Sequence, residues 1–266
     1  MRLNSQQQNA ILHVSGPLLV LAGAGTGKTT VLTERLCRLT SRHQISPEKI
    51  IALTFTNQAS RKMQFRVQKK GINGCWIGTF HRLGYEILRS SLPKEGFAQT
   101  EHFSLYDEED RKKVLRSLLE EHKVDCPVSF LESFLKKIKN RGESIAIQNN
   151  NDDLRRLCLL YEKRLQEDNA FDLDDLILKP LEIFRTCPGL LLKYQQNWSH
   201  FLVDEYQDTN EAQAKLLLML GKPCYNICFV GDPDQAIYSW RGATIHNILS
   251  LPNMRSSLAC ASLVSW

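Results

Sequence analysis

The chain has 266 residues, 42% of them hydrophobic and 24% charged, with a formal net charge of +5. That length can bury one large core or two smaller ones, the composition excludes fibrous and disordered classes, and no apolar run is long enough to span a bilayer. MRLNSQQQNA at the start lacks the basic-then-apolar layout of a secretory signal, and the eight scattered cysteines suggest neither a zinc cage nor a disulfide framework. An intracellular protein with reduced thiols and no membrane partner is expected; the basic excess is compatible with a polyanionic partner without requiring one.

Leu18, Leu19, Val20 and Leu21 form a short apolar run that enters the glycine-rich turn AGAGTGKTT, and Leu32, Leu36 and Leu39 follow at helical spacing. The order is strand, phosphate loop, helix. Ile50 to Phe55 reads as a buried strand, and Ala59, Met63 and Val67 mark one face of the next helix. A third strand around Trp76 and Ile77 leads into GTFHRLGYEILR. This alternation predicts an α/β fold, a mostly parallel sheet with helices on both faces.

From about Ser90 to Pro188 charged amphipathic helices replace the strands, with Phe130, Phe134 and Ile138 at four-residue steps along one apolar face. Lys136, Lys137, Lys139 and Arg141 read as the solvated side of that helix, with contact to duplex DNA as the alternative. QNNNDD near Asn150 is a loop. Strands resume with FLVDE from Phe201 and NICFVGD from Asn226. The organisation expected is therefore 1–89 and 189–266 as two parts of one sheet domain, with 90–188 inserted as an all-helical domain.

Two segments carry the chemistry. In a phosphate loop the glycines turn successive backbone N–H groups toward phosphates, the lysine neutralises the outer ones, and the next hydroxyl ligates magnesium. Gly23, Gly25, Gly27, Lys28 and Thr29 match those roles within the loop Ala22, Ala24, Thr26 and Thr30 complete; Ala22 stands where the strict pattern has glycine. LVDEYQDTN places Asp204 and Glu205 at the end of an apolar strand. Asp204 suits a magnesium ligand and Glu205 a base for the attacking water. The plainer readings are a chance glycine-rich turn and an exposed acidic pair.

Taken together these segments resemble the first motor domain of superfamily 1 DNA helicases of the UvrD, PcrA and Rep type, in order from Leu3 to about Leu251. LNSQQQNA, TFTNQAS from Thr54, GTFH from Gly78, FDLDDL from Phe171, DEYQDTN from Asp204 and VGDPDQAIYSWRGA from Val230 carry the likeness. The resemblance implies a P-loop NTPase, RecA-like sheet that binds ATP and Mg2+. It puts Gln7 on the adenine through an amide that both donates and accepts. It makes Gln235 a sensor of the terminal phosphate and Arg241 a link to DNA. Thr30 departs from the arginine that relatives often place against the base, so weaker adenine affinity is expected.

The same resemblance implies single-stranded DNA as partner, with Phe55, Tyr238 and Trp240 lining base pockets and Thr54, Asn57, Thr79 and His81 on the sugar-phosphate chain. Core packing is the alternative for Phe55 and Phe80. A duplex junction is a further implied contact, and 3′ to 5′ movement is the implied direction. The stretch MRSSLACASLVSW from Met254 matches no second motor domain. The chain is thus expected to be half a motor, completed by a second domain in the parent protein or in trans. A non-hydrolysing, ATP-gated strand-binding or docking module is the competing reading, and a P-loop kinase a weaker one.

Overall fold

The computed structural model describes residues 3–93, 96–145, 153–235 and 263–265. In chain order the elements run α1 (Ser5–Leu12), β1 (Leu18–Leu21), α2 (Lys28–Ser41), β2 (Ile50–Thr54), α3 (Asn57–Lys69), β3 (Trp76–Thr79) and α4 (Phe80–Ser91). They continue with β4 (Ser104–Tyr106), α5 (Glu108–Glu121), α6 (Val128–Asn140), α7 (Asp153–Glu167), β5 (Ala170–Asp172) and α8 (Asp175–Thr186). Last come α9 (Pro188–Asn197), β6 (His200–Val203), α10 (Glu211–Gly221), β7 (Ile227–Gly231) and β8 (Leu263–Ser265). No helix among the described residues is long and apolar enough to cross a membrane.

By its internal contacts the chain divides into two compact units, Met1–Phe80 with Cys187–Trp266, and His81–Thr186. The first is built on a sheet of order β3-β2-β6-β7-β1-β8, and every strand pairing in it is parallel. Strands β2, β6 and β7 are buried along their whole length, the signature of a sheet covered on both faces. Leu18, Val20, Ile50, Ala52, Leu202, Cys228 and Val230 alternate toward one core, which Val31, Leu32, Leu36 and Leu39 of α2 and Met63 and Val67 of α3 complete. Phe201, Val203 and Phe229 point the other way and are equally buried, and Tyr206 packs on the Phe229 ring at 4.5 Å between centroids.

One expectation for this unit is corrected. The buried face of α3 runs through Ser60, Met63 and Val67, and Ala59 is only half-buried. The tail, to which the sequence reading assigned no element, supplies β8, with Leu19 opposite Leu263 and Leu21 opposite Ser265.

The second unit is not all-helical. Ser104, Leu105 and Tyr106 pair in parallel with Ala170, Phe171 and Asp172, two strands too short for periodicity to reveal. Leu115, Leu118 and Leu119 of α5, Leu131 and Leu135 of α6, and Leu157, Cys158, Tyr161 and Leu165 of α7 form its core. The apolar face expected for α6 holds in part, since Phe134 and Ile138 are half-buried against this core. Phe130 is 57% exposed, while Leu131, Glu132, Leu135 and Lys139 are buried. Lys139, read as a solvated cation, lies in the interior with its Nζ 2.7 Å from Glu162 Oε1, 2.8 Å from Asp175 Oδ1 and 2.9 Å from Asp172 Oδ2.

Helices α4 and α8 approach so closely at Gly84 that a Cβ there would sit 1.6 Å from the Leu176 carbonyl oxygen. No rotamer change relieves a clash with backbone. Gly84→Ala is therefore expected to destabilise the protein by at least about 3 kcal/mol, the upper range for overpacking. Chemical denaturation checks it, and an unchanged midpoint would contradict this close crossing.

Candidate functional site

Because β6, β7 and β1 are neighbours in a parallel sheet, their C-terminal ends deliver three loops to one edge. The Ala22 N–H donates to Gly231 O at 3.0 Å, and the Asp204 N–H donates to Leu53 O at 2.9 Å. Segments nearly two hundred positions apart in sequence thus meet: Thr29 Oγ1 donates to Asp204 Oδ2 at 3.3 Å.

After β1 the backbone takes left-handed conformations at Gly25 (φ +74°) and Gly27 (φ +87°), which glycine adopts without steric cost. Thr26 Oγ1 donates to Gly23 O at 2.7 Å and closes the turn, while Ala24 and Gly25 are exposed at its tip. Gly27 is the N-cap of α2, and no side chain caps that end. An uncapped helix N-terminus presents N–H donors and the positive end of the macrodipole, a setting for an anion. Ala22, the departure from the strict pattern, is buried with its methyl in the core. Thr30 is half-buried in the first turn of α2.

Lys28 is 8% exposed, and its Nζ makes no hydrogen bond. It stands 3.4 Å from Glu205 Oε2 and 3.7 Å from Asp232 Oδ2. A buried ammonium short of acceptors is costly, and the oxygens of an anion at the mouth of this loop would supply them. Asp204 is buried as well; burial, and then the Glu205 charge, push its carboxyl up to about 6. A divalent cation held by Thr29 Oγ1 and Asp204 would relieve that repulsion. Among the described residues no cluster of three or more His, Cys, Asp or Glu could hold a metal. Thr29 Oγ1 and Asp204 Oδ2, 3.3 Å apart, are two oxygen donors that would suit an ion taking its remaining oxygens from phosphate and water, as magnesium does.

Glu205 adopts a left-handed backbone (φ +51°), a strained conformation for a residue with a Cβ. Its Oε2 accepts from Gln207 Nε2 at 2.8 Å, and Gln207 Oε1 accepts from the Asp232 N–H at 2.9 Å. Gln207 thus ties the carboxylate after β6 to the loop after β7. Gln235 is on the same loop, with its amide donating to Asp232 Oδ2. Sequence reasoning missed Gln207, Asp232 and Asp208. Asp232, an acid directly after the buried run NICFV, carries a sequence signal of the same kind as Asp204. Asp208 is buried with Oδ1 unpartnered, and burial, followed by Glu205, pushes its carboxyl up to about 6.

Gln7 reaches the loop from α1. Its Nε2 donates to Thr26 O at 2.9 Å, and its Oε1 accepts from the Asn4 N–H at 3.0 Å. A cavity of about 600 Å³ opens beside Thr29, Asp204 and Glu205 and runs past Phe55, Lys62 and Arg66 to Gln235. Phe55 is half-buried in its wall, whereas Phe80 is core. Thr54 and Thr79 are buried, and Thr54 Oγ1 donates to Thr56 O at 3.1 Å. Asn57 is exposed in the first unit, and His81 is exposed in the second. Tyr238, Trp240 and Arg241 lie outside the described residues.

The description "UvrD/REP helicase N-terminal domain" matches residues 3–255. The ATP-dependent DNA helicase PcrA of Staphylococcus aureus is 36% identical over 260 residues, covering 93% of this chain and 35% of that protein. A probable DNA helicase II homolog of Rickettsia felis is 39% identical over 259 residues, 93% of this chain and 39% of the relative. PcrA of Staphylococcus epidermidis is 37% identical over 260 residues, with 93% and 35% covered. The chain thus spans little more than a third of the length of these relatives.

Proposed function

Because the chain belongs to the UvrD/REP helicase family, we propose that it forms the ATP-binding motor domain of a DNA helicase and hydrolyses Mg-ATP in response to single-stranded DNA. The observation that carries this reading is the buried Lys28 Nζ, without a hydrogen bond and flanked by Glu205 and Asp232 next to the Thr29–Asp204 pair.

In this reading Lys28 and the N–H groups of the loop hold the outer phosphates, and Thr29 and Asp204 hold magnesium. The ion supplies charge neutralisation at the transferred phosphoryl group. Glu205, held by Gln207, takes the proton of the attacking water, Gln235 senses the terminal phosphate, and Gln7 reads the adenine edge. Phe55 in the cavity wall offers a ring on which a base can stack. Thr54, Asn57, Thr79, His81, Tyr238 and Trp240 are the further strand contacts, with Arg241 linking them to the nucleotide.

Translocation, 3′ to 5′, and unwinding at a duplex junction require a second motor domain whose arginines complete the site. Such arginines contribute about 10³- to 10⁵-fold in related phosphoryl transfers, so turnover by these 266 residues alone should be slow.

Phosphate release by the purified chain, with and without an oligodeoxynucleotide, tests the proposal. Slow, DNA-stimulated hydrolysis that Lys28→Ala abolishes is expected. Nucleotide and strand binding with no stimulation would replace it with a non-hydrolysing, ATP-gated module. Steady unwinding by the chain alone would overturn the need for a second domain.

A further inference from the structure

Arg35 plays no part in the site described above, yet it is among the largest fully buried side chains in the protein. It sits on α2, two turns beyond Lys28. Its Nη1 donates to Ala10 O at 2.8 Å and also to His13 O, and its Nε makes no hydrogen bond. Among the described residues no carboxylate pairs with it, and burial pulls its guanidinium down from the usual range. It also helps to keep its neighbours neutral: burial and then Arg35 hold His200 near 4 and lower His13. A guanidinium buried without a counter-charge is unfavourable, so the contacts it does make are informative.

Both acceptors lie at the carboxyl end of α1, where the last turn leaves carbonyls without intrahelical partners and the macrodipole is negative. Arg35 therefore fastens the far end of the helix whose first turn carries Gln7. At the near end, Asn4 and Gln7 form a reciprocal capping box, and Gln7 Nε2 donates to Thr26 O. One Gln7 amide hydrogen and one carbonyl lone pair are committed by these bonds, and the bond to Thr26 O sets which way the amide faces only while α1 keeps its place beside the phosphate loop. The second hydrogen and the second lone pair remain, a donor and an acceptor in a set order. Adenine presents an N7 acceptor beside an N6 donor, whereas guanine presents two acceptors, N7 and O6. An amide held in one orientation discriminates between them; one on a loosened helix loses its bonds to adenine without gaining any to guanine.

We infer that Arg35 is a positioning residue for base selection: by clamping α1 to the phosphate-loop helix it holds the Gln7 amide in the orientation that accepts adenine and rejects guanine. This rests on the reading of Gln7 as the adenine contact, and the experiment separates the two. Arg35 does not touch the nucleotide. It selects the base through the helix it anchors, so its loss should alter which base is preferred and leave the grip on the phosphates intact.

The test is calorimetric titration of the full chain with Mg-ATP and with Mg-GTP, for wild type, Gln7→Ala, Arg35→Met, Arg35→Lys and the Gln7→Ala/Arg35→Met double variant. Arg35→Met should lower the ATP-to-GTP affinity ratio about three- to tenfold, the worth of one hydrogen bond, with Mg-GTP affinity within about twofold of wild type. The double variant should match Gln7→Ala, because two residues acting through one amide are not additive. A wild-type ratio in Arg35→Met beside a reduced one in Gln7→Ala overturns the inference, as does an equal loss of both nucleotides. A wild-type ratio in Gln7→Ala instead removes the adenine reading itself. Should Arg35→Met not fold, Arg35→Lys decides. Its shorter side chain cannot serve both carbonyls, so a folded Lys variant with an unchanged ratio overturns the inference.

Discussion

Glu205→Gln should leave Mg-ATP affinity within about threefold of wild type while lowering the hydrolysis rate about 10²- to 10⁴-fold, the range general-base catalysis contributes. The substitution keeps the size of the side chain and one oxygen able to accept from Gln207 Nε2, now at 2.8 Å from Glu205 Oε2. It removes the capacity to take a proton. It also removes a negative charge 3.4 Å from Lys28 Nζ and one that raises the Asp204 carboxyl, so the grip on a triphosphate should not weaken. Lys28→Met is the contrasting variant, because it deletes the buried cation that faces the phosphates and should lose affinity as well as rate. Single-turnover hydrolysis beside equilibrium binding distinguishes the two. Unchanged turnover in Glu205→Gln would show that another group accepts the proton, with Asp208, whose Oδ1 has no partner, the carboxylate to examine next.

The parts of this molecule that could be read from sequence are those in which local pattern and tertiary role coincide. The phosphate loop is of that kind: strand, glycines and helix are contiguous, and Gly25 and Gly27 stand where the backbone turns left-handed. Asp204 was readable because an acid that ends an apolar strand has few structural uses. Gln207 was not, because its role exists only once β6 and β7 lie side by side and its amide meets the Asp232 N–H. The three-residue strands β4, β5 and β8 carry too few side chains for any period to show, and their partners lie far away in sequence. Residue type misled most on α6, where grouping Lys139 with the accessible Lys136 and Lys137 hid its burial.

That buried lysine leads to the second large effect. Lys139→Met should destabilise the protein by about 3–5 kcal/mol, the cost of removing one partner from a buried ion pair. Asp172 and Asp175 are both fully buried and already cap each other, Asp175 N–H to Asp172 Oδ1 at 2.9 Å and Asp172 N–H to Asp175 Oδ2 at 3.1 Å. Burial opposes the Asp172 charge, but Lys139 and Arg111 hold its carboxyl at about 2. Burial, together with Asp172 and Glu162, pushes the Asp175 carboxyl well above the usual range. One ammonium thus serves three carboxylates beside a core of Leu131, Leu135, Leu157 and Tyr161; Lys179, 2.8 Å from Glu162, still answers that residue, but methionine fills the Lys139 volume without answering Asp172 or Asp175. Arg111, whose Nη1 is 2.6 Å from Asp174 and 3.8 Å from Asp172, is too engaged elsewhere to replace it. Denaturant unfolding of Lys139→Met against wild type measures the loss, and the Lys139→Met/Asp172→Asn double variant should recover part of it by removing one stranded charge. A loss below about 1 kcal/mol would place Lys139 among solvent-screened surface cations and refute its burial.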